Sequence, residues 1–314
     1  MVSGIFAGVM WALETVVLGI ALQMTPFVSS QQAIFLAPFV STFLHDTISA
    51  LLTMIYNAIR GNLKNLGAFF KSKSFLYLVL ASAIGGPVGM TGYVMAVNFM
   101  GPSVGAVASA VYPAVGTVLA FIFLKEKVKW YQWIFLIFAL LGVYGLSYSP
   151  GLNVSNLFLG LLGALMCAFG WGIEGVILAK CLKDPNVKSE FALWIRQSVS
   201  GLVYAIVIIP AIGGIGFTAQ LFSRPTGMLF PAVAAAACCA SISYLLYYHT
   251  IAKVGASKAM ALNITYTAWA IFFAVILLRD VSVLNFTTLF CAGIVVVCGI
   301  LAATDFKTLF SPKG

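Results

Sequence analysis

The chain has 314 residues, of which 62% are hydrophobic and only 8% charged, with a formal net charge of +9. Soluble domains carry charge on about a quarter of their residues, so this composition excludes a soluble enzyme or binding module and indicates an integral membrane protein. The positive balance does not point to nucleic acid, because most of the Lys and Arg lie in a few short loops, where they report topology.

Apolar runs long enough to cross a bilayer fall at 4–22, 33–58, 75–99, 103–124, 130–148, 157–180, 190–210, 228–252, 256–278 and 283–303. They predict an all-α protein of ten transmembrane helices. No basic stretch or small-residue cleavage site accompanies the first run, which therefore reads as a retained helix and not a removed signal. Basic residues punctuate alternate loops: Arg60, Lys64, Lys71 and Lys73; Lys125, Lys127 and Lys129; Lys180, Lys183 and Lys188; Lys253 and Lys258; Lys307 and Lys313. Only Arg224 and Arg279 fall in the other loops. This bias predicts a multi-pass protein of the inner (cytoplasmic) cell membrane with both termini in the cytoplasm.

The two halves repeat. "GPSVGAVASAVYPAVGTVLAFIFLKE" (101–126) aligns without gaps on "GASKAMALNITYTAWAIFFAVILLRD" (255–280), so that Gly101 meets Gly255 and Tyr112 meets Tyr266. The same offset brings Tyr93 onto Tyr247. Trp11 and Glu14 meet Trp171 and Glu174, and "HDTIS" (45–49) matches "RQSVS" (196–200). Two units are expected, 1–150 and 151–314. Five helices is an odd number, so the second unit enters the membrane inverted, as in transporters whose site lies near the midplane between repeats.

Charge inside the spans is confined to Glu14, Asp46, Glu174 and Arg196, joined by the titratable His45 and His249. Ionised groups at bilayer depth are costly and mark function or pairing. Arg196 is expected to form a structural ion pair with Asp46. Glu174 is expected to serve the site, because Trp171 lies three residues before it and therefore on the same helical face. Trp11 and Glu14 share the same arrangement. Tyr244, Tyr247 and Tyr248 make a second aromatic stripe, Tyr266 and Trp269 a third, and Tyr112 precedes Pro113 in the middle of helix four. Rings near span ends, such as Trp130, Trp133, Tyr144, Tyr148 and Trp194, suit an interfacial belt; Tyr112, Trp171 and Tyr266 do not.

Several ring faces with a carboxylate form a receptor for an organic cation, each ring contributing about 0.5–2 kcal/mol. A quaternary ammonium has no N–H to donate, so rings and an anion are the means left to hold it. An anionic substrate would need several intramembrane cations, and only Arg196 is available. The six cysteines sit in or at the ends of apolar spans with no metal-site spacing and read as reduced packing residues. No metal or cofactor is implied, and with two histidines and no HExxH the pattern is not that of a membrane-embedded enzyme.

"GPSVGAVASAVYPAVGTVLAFIFLKEKV" resembles the signature of the drug/metabolite transporter superfamily, in its ten-helix EamA-type branch, over essentially the whole chain. "GGPVGM" (85–90), "SAVYPAV" (109–115), "WGIE" (171–174), "IRQ" (195–197) and "SISYLLYYHTI" (241–251) are similar to LicB-type choline permeases. The resemblance implies import of choline or a related small quaternary ammonium by alternating access; the membrane potential is expected to drive such a cation inward, and the cycle is open to proton coupling. The alternative within the superfamily is an exporter of amino acids or cationic drugs. The binding residues it implies are Trp11, Tyr112, Trp171, Glu174, Tyr244, Tyr247, Tyr248, Tyr266 and Trp269. Glu14 departs from the family, which has small residues after this tryptophan. With His45 and Asp46 it is a candidate coupling group or second carboxylate. Beyond substrate and lipid bilayer the expected partners are none, as a monomer or homodimer.

Overall fold

The computed structural model describes residues 1–148, 155–279 and 281–306. Asp280, Lys307 and Lys313, used in the sequence reading, lie outside the described residues. The ten expected spans are helices: α1 Val2–Leu22, α2 Gln31–Ile59, α3 Lys73–Met100, α4 Pro102–Phe123, α5 Trp130–Ser147, α6 Leu157–Cys181, α7 Ser189–Ala211, α8 Leu229–Val254, α9 Ala256–Leu278 and α10 Phe286–Ala303. Described residues hold no strand. In hydrocarbon every backbone N–H and C=O must be paired within the protein, and helices achieve this segment by segment.

Side chains set several of the boundaries. Ser30 accepts from Ala33 N–H at 3.1 Å and starts α2. Asn156 accepts from Leu159 N–H at 3.0 Å and starts α6. Asn285 does the same for Thr288 at 2.9 Å, which moves the start of α10 to Phe286, three residues later than the hydropathy suggests. Such caps satisfy N–H groups that have no partner within the helix. Among the described residues, two short α-helices lie outside the spans, Leu66–Lys71 and Ile215–Ser223. Both are too short to register as membrane segments by hydropathy.

The packing follows a pattern. α1 lies against α8 and α9, while α6 lies against α3 and α4; α2 contacts α8, while α7 contacts α3; α2 pairs with α7, and α5 with α10. Each contact has its counterpart when the chain number is moved by five helices. Backbone conformations are paired too. Gly101 and Gly255 both have φ 91° at the one-residue links α3–α4 and α8–α9. Lys125 and Arg279, also 154 positions apart, both have φ 55° just past the ends of α4 and α9. A left-handed residue commonly closes a helix.

At the lysine-rich end three contacts clasp the bundle. The Glu126 carboxylate accepts from Ala256 N–H at 2.8 Å, from Ser257 N–H at 3.1 Å and from the Ser257 hydroxyl, so it caps the start of α9 from the loop after α4. Lys188 donates to Asn62 at 2.8 Å. Asp184 accepts from the Asn186 N–H at 2.9 Å and the Ser74 hydroxyl at 2.8 Å. Those bonds, the backbone one first, hold its carboxyl below the ordinary range for Asp.

Losing the Glu126 cap in Glu126→Ala is expected to cost about 0.5–2 kcal/mol, seen as a lower melting midpoint of the detergent-solubilised protein. The exposed neighbour Lys127→Ala should stay within about 0.5 kcal/mol of the parent. Equal midpoints for the two variants would remove the cap from the account of stability.

Candidate functional site

The chamber begins with a flaw in α3. Pro87 has no N–H to donate, and the segment Ile84–Val88 widens into a π-turn within the helix. The Gly85 carbonyl is thereby presented sideways, and the Trp171 indole N–H on α6 donates to it at 2.9 Å. The same turn receives Glu174. A Cβ at Gly85 would collide with the Glu174 carboxylate, and one at Gly89 would lie 2.8 Å from the Trp171 ring. Glycine at these two places is therefore what lets α3 and α6 approach closely enough to seat both side chains.

Around this pair the bundle brings together Trp11 from α1, Tyr112 from α4, Tyr244, Tyr247 and Tyr248 from α8, and Asn263 and Tyr266 from α9. The rings meet edge to face, as their quadrupoles prefer: Trp11 with Tyr244 at 4.8 Å, Trp11 with Tyr266 at 6.3 Å and Tyr112 with Trp171 at 5.7 Å between centroids. The Asn263 amide N–H donates to the Tyr112 hydroxyl at 2.8 Å, and Ser109 and Tyr266 share a hydrogen bond of 2.9 Å. The enclosed volume is about 40 Å³, space for about three waters at ~10–15 Å³ each.

A second cavity of about 300 Å³ adjoins this chamber, and Trp11, Trp171, Tyr244 and Tyr266 form the common wall. It extends along Leu18, Gly19 and Leu22 toward the end of α1 opposite the lysine-rich loops. Glu14, His45, Asp46 and Tyr93 line it as well.

Of the sequence candidates, Trp11, Tyr112, Trp171, Glu174, Tyr244, Tyr247, Tyr248 and Tyr266 lie on the inner chamber. Tyr247 and Tyr248 are buried and do not belong to an interfacial belt. Trp269 lines neither cavity; its ring packs on Phe272 at 6.4 Å. Three residues along a helix rise by about 4.5 Å, and that step carries Trp269 past the level of Tyr266. Tyr93 and Asn263 line the cavities and were not among the candidates. The alignment of Tyr93 with Tyr247 was the available signal for the first; nothing in the sequence marks the second.

Arg196 is shared. Its Nε lies 3.3 Å from Glu174 Oε1 and its Nη1 3.6 Å from Asp46 Oδ2, so the pairing with Asp46 is half of a bridge between two carboxylates. Its guanidinium carbon stands 4.7 Å from the centroid of the Tyr244 ring, a cation–π contact made by the protein with itself. Nη1 also donates to Gln197 Oε1 at 2.6 Å. Gln197 donates to Ser49 at 2.8 Å; Ser241 donates to the Ala237 carbonyl at 2.7 Å, which leaves Ser49 to donate to Ser241, also at 2.7 Å. The chain of bonds joins α7, α2 and α8 with each polar group used. His45 Nδ1 meets Asp46 Oδ1 at 2.8 Å, and its Nε2 faces Glu14 Oε1 at 3.5 Å. All six cysteines are free thiols.

Residues 1–148 match the EamA-like transporter family. The chain is 25% identical to Protein LicB of Haemophilus influenzae over 93% of this chain and 95% of that protein. It is 29% identical to the Riboflavin transporter ImpX of Fusobacterium nucleatum subsp. nucleatum over 64% of this chain and 65% of that protein. A solved crystal structure superposes with a TM-score of 0.73 at 16% identity, covering 99% of this chain and 98% of the other; that likeness concerns the fold.

The bridge gives a direct expectation. Arg196→Leu leaves two buried carboxylates without their cation and should destabilise the protein by about 3–5 kcal/mol, measured as loss of the folded, monodisperse species in detergent. Gly85→Ala should cost about 1–3 kcal/mol by overpacking. A parent-like melting midpoint in Arg196→Leu would show that the bridge does not hold α2, α6 and α7 together.

Proposed function

We propose that this chain, a membrane transporter of the EamA-type drug/metabolite transporter superfamily, imports a small methylated ammonium such as choline across the cytoplasmic membrane. The observation that carries the reading is the convergence of rings from α1, α4, α6, α8 and α9 beside Glu174. A methylated ammonium offers diffuse positive charge over a surface of methyl groups. It gains from ring faces by cation–π attraction and from burial of its methyls, and it asks for no hydrogen-bond acceptor at the charged end.

Alternating access between units 1–150 and 151–314 accounts for movement. The matched helix contacts and the matched left-handed residues at Gly101/Gly255 and Lys125/Arg279 support reading the units as inverted equivalents. We place the lysine-rich end in the cytoplasm on the loop charges. Import of a cation then runs with the field: about 2.3 kcal/mol per charge per 100 mV, enough for roughly fifty-fold accumulation. Glu14, His45 and Asp46 are the groups to which an exchangeable proton would fall if the cycle is coupled.

Vesicles containing the purified protein, with an imposed potential negative inside, are expected to accumulate labelled choline and to lose accumulation when the potential is collapsed. Trp171→Ala should weaken choline binding by about two- to thirtyfold, since it removes one ring's ~0.5–2 kcal/mol. Uptake confined to amino acids, or choline affinity unchanged in Trp171→Ala, would overturn the reading.

A further inference from the structure

The inner chamber of about 40 Å³ is below the size of small-molecule sites, which run about 300–1,000 Å³. The adjoining cavity, at about 300 Å³, reaches that range. It has the composition of a site in its own right. Trp11, Tyr93, Trp171, Tyr244 and Tyr266 supply rings, and Glu14 supplies a carboxylate that Arg196 does not bridge.

His45 contributes the more specific feature. Its side chain is 9% exposed. Nδ1 lies 2.8 Å from Asp46 Oδ1, and a carboxylate there can only accept, so Nδ1 carries the proton. In the neutral ring Nε2 is then a bare acceptor. It is buried, it lines the cavity, and it has no hydrogen-bond partner. Glu14 Oε1 stands 3.5 Å away and makes no hydrogen bond with it. A buried acceptor without a donor is a standing cost, and a donor brought by a ligand removes it.

We infer that the Glu14–His45 cavity is a second station for the transported cation, in which His45 Nε2 accepts a hydrogen bond from the hydroxyl of a hydroxyalkyl ammonium while Glu14 and the rings hold its charge. This rests on the proposed function and extends it to the other end of the substrate. The inner chamber has ring faces for the methylated head; the outer cavity reads the alcohol. The two lie along the path from the end opposite the lysine-rich loops to the membrane's middle, with the wall of Trp11, Trp171, Tyr244 and Tyr266 between them. The consequence is selectivity: simple tetraalkylammonium ions fit the rings but leave His45 unpaired, and a site built to take a hydroxyl discriminates against an analogue that lacks it.

The test compares choline with its O-methyl ether and with tetramethylammonium, by calorimetric titration of the detergent-purified protein. The ether keeps the charge and the trimethylammonium head, and its oxygen carries a methyl in place of the donor hydrogen. Choline is expected to bind about tenfold more tightly than the ether. His45→Asn retains a donor toward Asp46 but has no acceptor at the Nε2 position, and it should bring that ratio to within about twofold. Glu14→Met, which brings no donor to Nε2, should weaken all three cations and leave the ratio as in the parent. Equal affinity of the parent protein for choline and its ether overturns the hydroxyl station, whether or not the variants fold. So does an unchanged ratio in a folded His45→Asn. Failure of all three cations to bind the parent would instead remove the proposed function beneath it.

Discussion

Five titratable or charged groups sit in the apolar interior, and the cost of keeping them there organises the centre of the molecule. Burial of an ionised group without a partner is among the most expensive things a membrane helix can do. Arg196 answers for two carboxylates at once, Asp46 on α2 and Glu174 on α6, while itself belonging to α7. Three helices from both halves are therefore tied by one guanidinium. The planar fork suits this role because its N–H groups point in fixed, separate directions. Gln197, Ser49 and Ser241 extend the arrangement as a line of hydrogen bonds that ends on the Ala237 carbonyl, which brings in α8.

Irregular backbone does the complementary work. A regular α3 would present the side of a helix to α6, with its carbonyls committed to its own N–H groups. The π-turn at Ile84–Val88 releases the Gly85 carbonyl to the Trp171 indole and, by the absence of a Cβ, leaves room for Glu174. The orientation of the chamber's central tryptophan is thus set by a defect in a different helix. α9 has its own interruption after Asn263, where the helix segment Ala256–Asn263 stops and a new one starts at Tyr266. That break puts the Asn263 amide onto the Tyr112 hydroxyl. Non-helical backbone at this depth is tolerated where protein or cavity surrounds it, and both breaks adjoin the chamber.

Much of this was legible in the residues. Ten hydropathic spans become ten helices with boundaries shifted by a few residues, because a span must be apolar over a fixed length and loops must not be. Trp171 with Glu174, and the tyrosines of α8, could be assigned to one face each from helical spacing alone. What spacing cannot give is which helix a face meets. Spacing assigns Glu174 to the site but not its partner: Arg196 from α7 stands at 3.3 Å, a contact made by packing between helices. Trp269 shares a face with Tyr266 and still misses the chamber, since height along the axis is decided by the register against α1 and α6. The free Nε2 of His45 depends on which ring nitrogen meets Asp46, a matter of rotamer that composition does not carry.

The shared wall connects these observations to movement. Trp171 is held by α3 through Gly85, and Tyr244 is stacked by Arg196, which α2 and α6 hold through their carboxylates. Trp11 stands edge-on to both Tyr244 and Tyr266. The barrier between the two cavities is therefore not a free-standing gate. Each ring in it is fastened to a helix contact or an ion pair that links the halves. In an alternating-access cycle the helices that carry these fastenings shift against one another, so the rings must shift with them. On the proposed function, a cation that draws Glu174 toward itself competes with Arg196 for that carboxylate. In the proposed cycle, loading the site and loosening the wall are one event, coupled through residues that already touch.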